Sequence, residues 1–336
     1  MKGNIKMKLF KKIVCGVLCA CMALSLCAGL TGCGSGEEET VIIYSNADDE
    51  AVESMKKTLD ANGYEGKYIF QSFGTSELGG KLLAEGADME ADVVTMSSYY
   101  IESAQNQSNM FLDLTFDVNT TDEYPAYYAP FLANQGALIV NTQVLTEAGL
   151  DMPASIADLA DAQYAGYISV VDVQGSSTAW LMIQALVSEY GEDGAKEILT
   201  SIYANAGAHL EQSGSGPIKK VRAGEVAVGF GLRHQAVADK ASGLPVDFVD
   251  PTEGNFTLTE SLAVVDKGDH TNPLAMEMVR CIIEKGRTDL MTYYPVPLYD
   301  GETADAEAIS ANSKVFPEAL TVELLEKHRA LSESCK

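Results

Sequence analysis

Short runs of β-branched and aromatic residues alternate along most of this chain with segments whose apolar residues recur at helical spacing, and nothing else in the sequence narrows its fold as much. TVIIYS (40–45) reads as a strand, and Val52, Met55 and Leu59 put the next segment on a helix at i, i+3 and i+7. KYIFQSF (67–73) and ADVVTMSS (91–98) are strands, with GTSELGGKLLAEG (74–86) a loop entering a helix between them. A second unit repeats the rhythm. GALIVNT (136–142) is a strand, ASIADLADA a helix, YISVVDV (167–173) a strand, and a helix runs from about Thr178 to Tyr190. GEVAVGFG (224–231), LPVDFVD (244–250) and SLAVVDK (261–267) continue the sheet, and NPLAMEMVRCIIEKG (272–286) is a helix closed by Gly286. Strands joined through helices favour an α/β fold with a mostly parallel sheet.

The N-terminus is a different kind of segment. Residues 1–12 carry five lysines and no acid, an apolar run from Ile13 to Leu26 follows, and Leu30-Thr31-Gly32-Cys33 closes it. A basic start, a short apolar core and small residues before a cut describe a secretory signal over residues 1–32. The run is short for a membrane span. Leu-Thr-Gly-Cys resembles a bacterial lipobox, which implies cleavage before Cys33 and diacylglycerol on its sulfur; the alternative is an uncleaved anchor. Residues 33–39 then form a flexible acidic leash, so the domain beyond is expected to work outside the cytoplasm, held at the cell membrane by lipid. Of seven cysteines, four lie in the signal and one is Cys33. Cys281 and Cys335 remain, able to form one bridge unless the penultimate Cys335 is frayed. No zinc or redox spacing survives.

The formal charge is −25, and removal of the signal's five lysines takes it to −30. Such a surface repels nucleic acid and anionic headgroups. Screening acts over roughly 8 Å at physiological salt, so local groups decide what a cleft binds.

VVDVQGSSTAW (170–180) carries the most chemistry. An apolar strand ends in Gly175, Ser176, Ser177 and Thr178, and a helix follows. A helix N-terminus presents free N–H groups and a partial positive charge, which suits an oxyanion. A plain cap needs one hydroxyl, and three in a row exceed that need. Gly74, Thr75 and Ser76 form a similar strand-to-helix passage earlier in the chain: the glycine permits close backbone approach, and the hydroxyl residues start a helix. Two helix N-termini facing across a cleft would clamp an anion with little need for basic side chains.

Four segments, in order, carry a family resemblance over nearly the whole chain beyond the leash: VIIYSNADDEAV, FGTSELGGKLLAEGADMEADVVT, MPASIADLADAQYAGYISVVDVQGSSTAW and PTEGNFTLTESLAVVDKGDHTNPLAMEMVRCIIEKG. Together they resemble the extracellular solute-binding lipoproteins of ABC importers, in the family that includes ferric-ion, 2-aminoethylphosphonate and sugar-phosphate binders. The resemblance implies a two-lobed α/β type II periplasmic-binding-protein fold with two crossover strands, near residues 134–141 and 257–264. Lobe 1 would comprise 40–135 and 258–336, and lobe 2 would comprise 136–257. It implies a monomeric binding protein without catalysis or cofactor, partnered by a permease and an ATPase, that closes on a small oxyanion such as a phosphonate or organophosphate. The family places oxyanion contacts at the Ser176–Thr178 block.

Other candidates line up behind these. Ser45 and Asn46 end the first strand, and Ser97 and Ser98 end the third. Gln212 to Gly216 is a third hydroxyl-rich loop or a mobile one. Arg233 and His234 adjoin a strand end, where an arginine can grip a phosphonate or carboxylate with two hydrogen bonds; a surface salt bridge is the alternative. Glu253 can receive a ligand ammonium or sit in a rim ion pair. Ferric-ion binders of the family carry an adjacent tyrosine pair near this arginine, where this chain has Leu232-Arg233. The pairs Tyr99-Tyr100, Tyr127-Tyr128 and Tyr293-Tyr294 lie elsewhere, which disfavours iron, and no metal ligand is assigned. A secreted hydrolase is the rival from another class. GSSTA (175–179) departs from a Gly-x-Ser-x-Gly elbow at Ala179, and the four histidines lack zinc-protease spacing, so no nucleophile, base and orienting group come together.

Overall fold

The computed structural model describes residues 40–310 and 312–336. The signal, the leash and Cys33 therefore lie outside the described residues. The first strand, β1 (Val41–Ser45), leads into helix α1 (Asp49–Ala61), which buries Ala51, Val52, Met55 and Leu59 on one face. Strand β2 (Tyr68–Ser72), helix α2 (Thr75–Glu85), strand β3 (Val93–Ser97) and helix α3 (Ser98–Ser108) follow. β1 pairs in parallel with both β2 and β3.

The next strand, β4 (Ala129–Asn141), is long because it runs through both halves of one sheet. Its first half, Ala129 to Gln135, pairs antiparallel with β9 (Asn255–Val264), which in turn pairs antiparallel with β3. From Gly136 onward it pairs instead with β7 (Val228–Leu232) and β8 (Val246–Val249). Gly136 sits at the change of partner, where a Cβ would fall 2.5 Å from the Phe230 ring and 3.0 Å from Leu181 Cβ. Only a residue without a side chain lets the strand cross that close to its neighbours. β5 (Ile168–Val171) pairs in parallel with β7 and with the short β6 (Leu210–Glu211). The sheet is thus mixed rather than mostly parallel: strands joined through helices are parallel, and the two long strands crossing between lobes run antiparallel to each other and to β3, β7 and β8.

The remaining helices are α4 (Thr142–Ala148), α5 (Thr178–Ala206), α6 (Gly216–Arg222), α7 (Arg233–Ala241), α8 (Pro273–Cys281), α9 (Arg287–Tyr293) and α10 (Val322–Glu333). Two of three helix expectations change. ASIADLADA makes two 3₁₀ turns, Ala157–Ala160 and Ala162–Tyr164, in place of a helix. The helix expected to end near Tyr190 does break at Gly191, whose φ of 68° and ψ of 176° only glycine adopts readily, and a second helical stretch runs on to Ala206. Gly286 does not close a helix; a π-helical turn, Ile282–Gly286, carries α8 into α9, and Gly286 lets that turn lie against Thr58. Cys281 and Cys335 are both buried and unbridged. Cys335 is not frayed, since its Sγ lies 3.2 Å from the Leu331 carbonyl and it packs in the core.

One apolar cluster lies between β1, α1, β4 and the α8–α9 region, and a smaller one between β4, α6 and α7. The largest runs through both lobes and centres on Trp180. That indole is fully buried, donates to His328 Nδ1 at 2.8 Å and meets Tyr99 edge to face at 4.8 Å. The first turn of α5 is thereby tied to α3 and α10 at once.

Candidate functional site

The carboxyl ends of β1, β2 and β5 open toward one cavity of about 290 Å³, at the small end of the range for ligand pockets (roughly 300–1,000 Å³). Each wall is shaped by a short local device. At the end of β1, the buried Ser45 hydroxyl accepts from Thr95 Oγ1 (2.7 Å) and from the Ala47 N–H (3.1 Å). This turns the chain so that Asn46, Ala47 and Asp48 face the cavity while Ser45 stays behind it. After β2, the Phe73 N–H donates to the Ser45 carbonyl, and α2 begins at Thr75, whose Oγ1 receives the Asn46 amide at 3.3 Å.

On the opposite wall, Asp172 organises the loop that follows β5. Its backbone carbonyl accepts from the Gly175 and Ser176 N–H groups. Its carboxylate accepts from the Gln174 N–H (3.0 Å), Lys336 Nζ (2.6 Å) and Gln212 Nε2 (3.4 Å). Burial alone would raise its pKa, but these hydrogen bonds outweigh it and leave the acid below its usual range. Ser176, Ser177 and Thr178 then open α5 into the cavity. The Gln212–Gly214 loop closes in beside them. It comes so near that a Cβ on Gly214 would lie 2.5 Å from Thr178 Oγ1, and one on Gly175 would lie 2.2 Å from the Gln212 carbonyl. Neither N-cap residue, Gly74 of α2 or Ser177 of α5, makes a side-chain cap, although the Thr178 N–H lies 3.3 Å from the Ser176 hydroxyl, which itself donates to Thr178 Oγ1 at 3.4 Å.

The third wall is acidic. Glu260, in the middle of β9, is 3% exposed; Ser97 donates to its Oε1 at 2.7 Å, and its Oε2 has no hydrogen-bond partner. Burial pushes its pKa up to about 7 despite the hydrogen bond from Ser97 and the Asn46 amide beside it, and the charge of Asp48 adds to the rise. Asp48 precedes α1 without capping it, and burial with the charges of Glu50 and Asp49 raises it to about 6, offset in part by Lys219. Asn134 and Tyr294 complete this side. Burial and the neighbouring acids drive the Tyr294 phenol upward as well. No lysine, arginine or histidine is among the cavity-lining residues.

The structure therefore gathers Asn46, Gly74, Thr75, Ser176, Ser177 and Thr178 around one space and keeps Ser45 and Ser97 directly behind it. Ser76 sits beside the cavity, donating to the Gln174 carbonyl at 2.8 Å and accepting from Arg329 Nη2 at 2.6 Å. Three candidates fall elsewhere. Arg233 is buried against Asp250 through Nε (2.7 Å) and Nη2 (3.1 Å), and its Nη1 donates to the carbonyls of Glu307 and Ala308, so its donors are occupied. His234 packs on the far side of Tyr294, ring centroids 4.5 Å apart, and burial lowers its pKa to about 3. Glu253 is 1% exposed and accepts from the Ile156 and Ala157 N–H groups at 2.9 Å each, capping a 3₁₀ turn. Asp48, Asn134 and Glu260 were not singled out from the sequence, and Tyr294, set aside there as one of the tyrosine pairs, lines the cavity. One signal for Glu260 was legible, a single acid inside the strand pattern TLTESLAVV. Among the described residues, no group of three or more His, Cys, Asp or Glu side chains is arranged to hold a metal ion.

The family model for bacterial extracellular solute-binding proteins matches residues 47–286. An uncharacterized protein of Haemophilus influenzae is 25% identical over 258 residues, which cover 73% of this chain and 72% of that one. The periplasmic binding protein AfuA of Actinobacillus pleuropneumoniae, solved with exogenous fructose-6-phosphate bound, superposes with a TM-score of 0.69 at 22% identity, covering 82% of this chain and 90% of its own. Iron-bound HitA of Pseudomonas aeruginosa gives 0.69 at 19% identity, covering 88% and 99%. The fold is the two-lobed α/β fold of type II periplasmic binding proteins, and the chain belongs to the bacterial extracellular solute-binding protein family.

Proposed function

We propose that this solute-binding protein of an ABC importer captures a small organic oxyanion, a phosphonate or phosphate ester, between lobes 40–135 with 258–336 and 136–257. The observation that carries this reading is the pair of uncapped helix N-termini, α2 at Gly74-Thr75 and α5 at Ser176-Ser177-Thr178, that meet across one cavity from opposite sides of the β4 crossover. Their N–H groups and hydroxyls form charge-assisted hydrogen bonds to an anion, and both helix dipoles favour negative charge there. A ligand bridging both walls favours the closed arrangement by its higher affinity for it, and the closed shape is what a permease can read. The fructose-6-phosphate carried by AfuA is a ligand of this chemical kind. The reading includes lipidation at Cys33, a monomeric state and no catalytic turnover.

Thermal shift on the purified protein tests it. The panel is 2-aminoethylphosphonate, phosphate, hexose phosphates, taurine, citrate and ferric citrate. Ligand at 100 times its Kd adds about 2.7 kcal/mol of stability, enough to move the melting point measurably. Stabilisation by phosphonates or phosphate esters supports the oxyanion reading. A second reading, iron(III), draws on Asp48, Glu260 and Tyr294 as hard oxygen donors beside the cavity. It predicts stabilisation by ferric citrate and none by citrate.

A further inference from the structure

We propose that helix α10 straps two walls of the cavity together, with Arg329 and Lys336 as positioning residues for the loops that would hold the ligand. This rests on the cavity being the ligand site described above. Four hydrogen bonds form a circuit that leaves α10 and returns to the residues just after it. Arg329 Nη2 donates to Ser76 Oγ at 2.6 Å, and that hydroxyl donates to the Gln174 carbonyl at 2.8 Å. The Gln174 N–H donates to Asp172 Oδ1 at 3.0 Å, and Lys336 Nζ donates to Asp172 Oδ2 at 2.6 Å. Ser76 belongs to α2, whereas Asp172 and Gln174 lie in the loop that leads into α5. One helix therefore holds the start of both walls without lining the cavity.

The grip is unequal. On the α5 side, His328 Nδ1 accepts from Trp180 in the first turn, the Ser332 and Tyr203 hydroxyls lie 2.7 Å apart near the far end, and Lys327 pairs with Glu192 between them. On the α2 side, the bond is the one from Arg329 to Ser76. Parting of the walls therefore carries α10 along with α5 and cuts the circuit at Ser76. The chemistry of Arg329 suits such a latch. Its side chain is 13% exposed, its acid partner Glu326 is 58% exposed, and its buried Nε has no hydrogen-bond partner. A guanidinium is costly to bury, and an apolar side chain would pack this helix at less cost. A charged donor on the Ser76 hydroxyl also polarises it, which strengthens the bond that the hydroxyl makes to Gln174 across the gap.

Amide hydrogen exchange, followed by mass spectrometry on the purified protein without added ligand, tests this. No ligand enters the measurement, so its outcome is separate from that of the oxyanion reading, which the thermal-shift panel decides. Arg329→Gln and Lys336→Met should each quicken exchange over residues 172–178 roughly fivefold or more, while residues 195–203 of α5 keep their protection. Arg329→Lys, which keeps the charge, should recover part of the loss. In a Ser76→Ala background, Arg329→Gln should add nothing, because the circuit is already cut, whereas Lys336→Met should still act through Asp172. Unchanged exchange over residues 172–178 in both single variants overturns the strap. So does an Arg329→Gln effect of equal size with and without the Ser76 hydroxyl, which would make Arg329 a packing residue of α10 alone. Lys336 lies beyond the helix with its side chain 26% exposed, so its variant keeps the test decisive if Arg329→Gln does not fold.

Discussion

Thr178 and Glu260 carry opposite jobs at the scale of single residues. Thr178 is buried beside Ser176, its N–H 3.3 Å from the Ser176 hydroxyl, at the positive end of a long helix. Thr178→Ala should weaken oxyanion binding by about 1–3 kcal/mol and Thr178→Ser by much less, measured by calorimetry. Burial makes the charged form of Glu260 costly. Its folded pKa of about 7 lies above the ordinary glutamate value, so between the two the native state holds more protons than the unfolded chain. The stability it contributes is full below about pH 4.5 and is lost as pH rises through 7; Asp48, raised to about 6, acts in the same direction over a lower window. Glu260→Gln should therefore raise the melting point of the ligand-free protein at pH 8, by the equivalent of about 2–4 kcal/mol, and leave it nearly unchanged at pH 4.5. An equal change at both pH values would sink the account.

At the scale of elements, the site depends on how closely two loops can approach. Gly214 lets the Gln212–Gly214 loop lie against Ser176 and Thr178, so Gly214→Ala should impair ligand binding by displacing those hydroxyls while the far-ultraviolet circular dichroism stays native. Arg233 marks the contrast between a legible residue and its use. Its position at the end of β7 was visible in the sequence, yet its partners, Asp250 and the carbonyls of Glu307 and Ala308, come from segments far along the chain. Arg233→Ala removes these hydrogen bonds and leaves the half-buried Asp250 with the Asn255 amide as its remaining donor, and should cost about 3 kcal/mol in urea denaturation. Ligand affinity, once the protein is folded, should stay within about twofold. The Ala157–Tyr164 region was misread for a related reason: Glu253 caps its first turn from a distant loop and stabilises 3₁₀ geometry that helical spacing does not reveal.

For the whole molecule, the question is what holds the two sides of the cavity together. Ser76 on α2 donates across to the Gln174 carbonyl, and Arg329 of α10 donates to the same hydroxyl. This bridge lies outside the cavity lining. Ser76→Ala removes about 1 kcal/mol from the closed arrangement, so ligand release in stopped-flow should quicken roughly fivefold without loss of a direct ligand contact. An unchanged release rate would show that the bridge does not contribute to closure.

The strand–helix alternation, the helical face of α1 and the hydroxyl-rich helix starts at Thr75 and Thr178 were all determined by the sequence alone. Each depends on neighbours a few residues apart, where periodicity and backbone chemistry act directly. The antiparallel crossing of β4 and β9, the retreat of Arg233 and Glu253 into structural pairs and the acidic wall of Asp48 and Glu260 were decided only by the tertiary structure. Those features join residues up to 212 positions apart, and burial sets both the pairing and the protonation of such groups once the chain has folded around them.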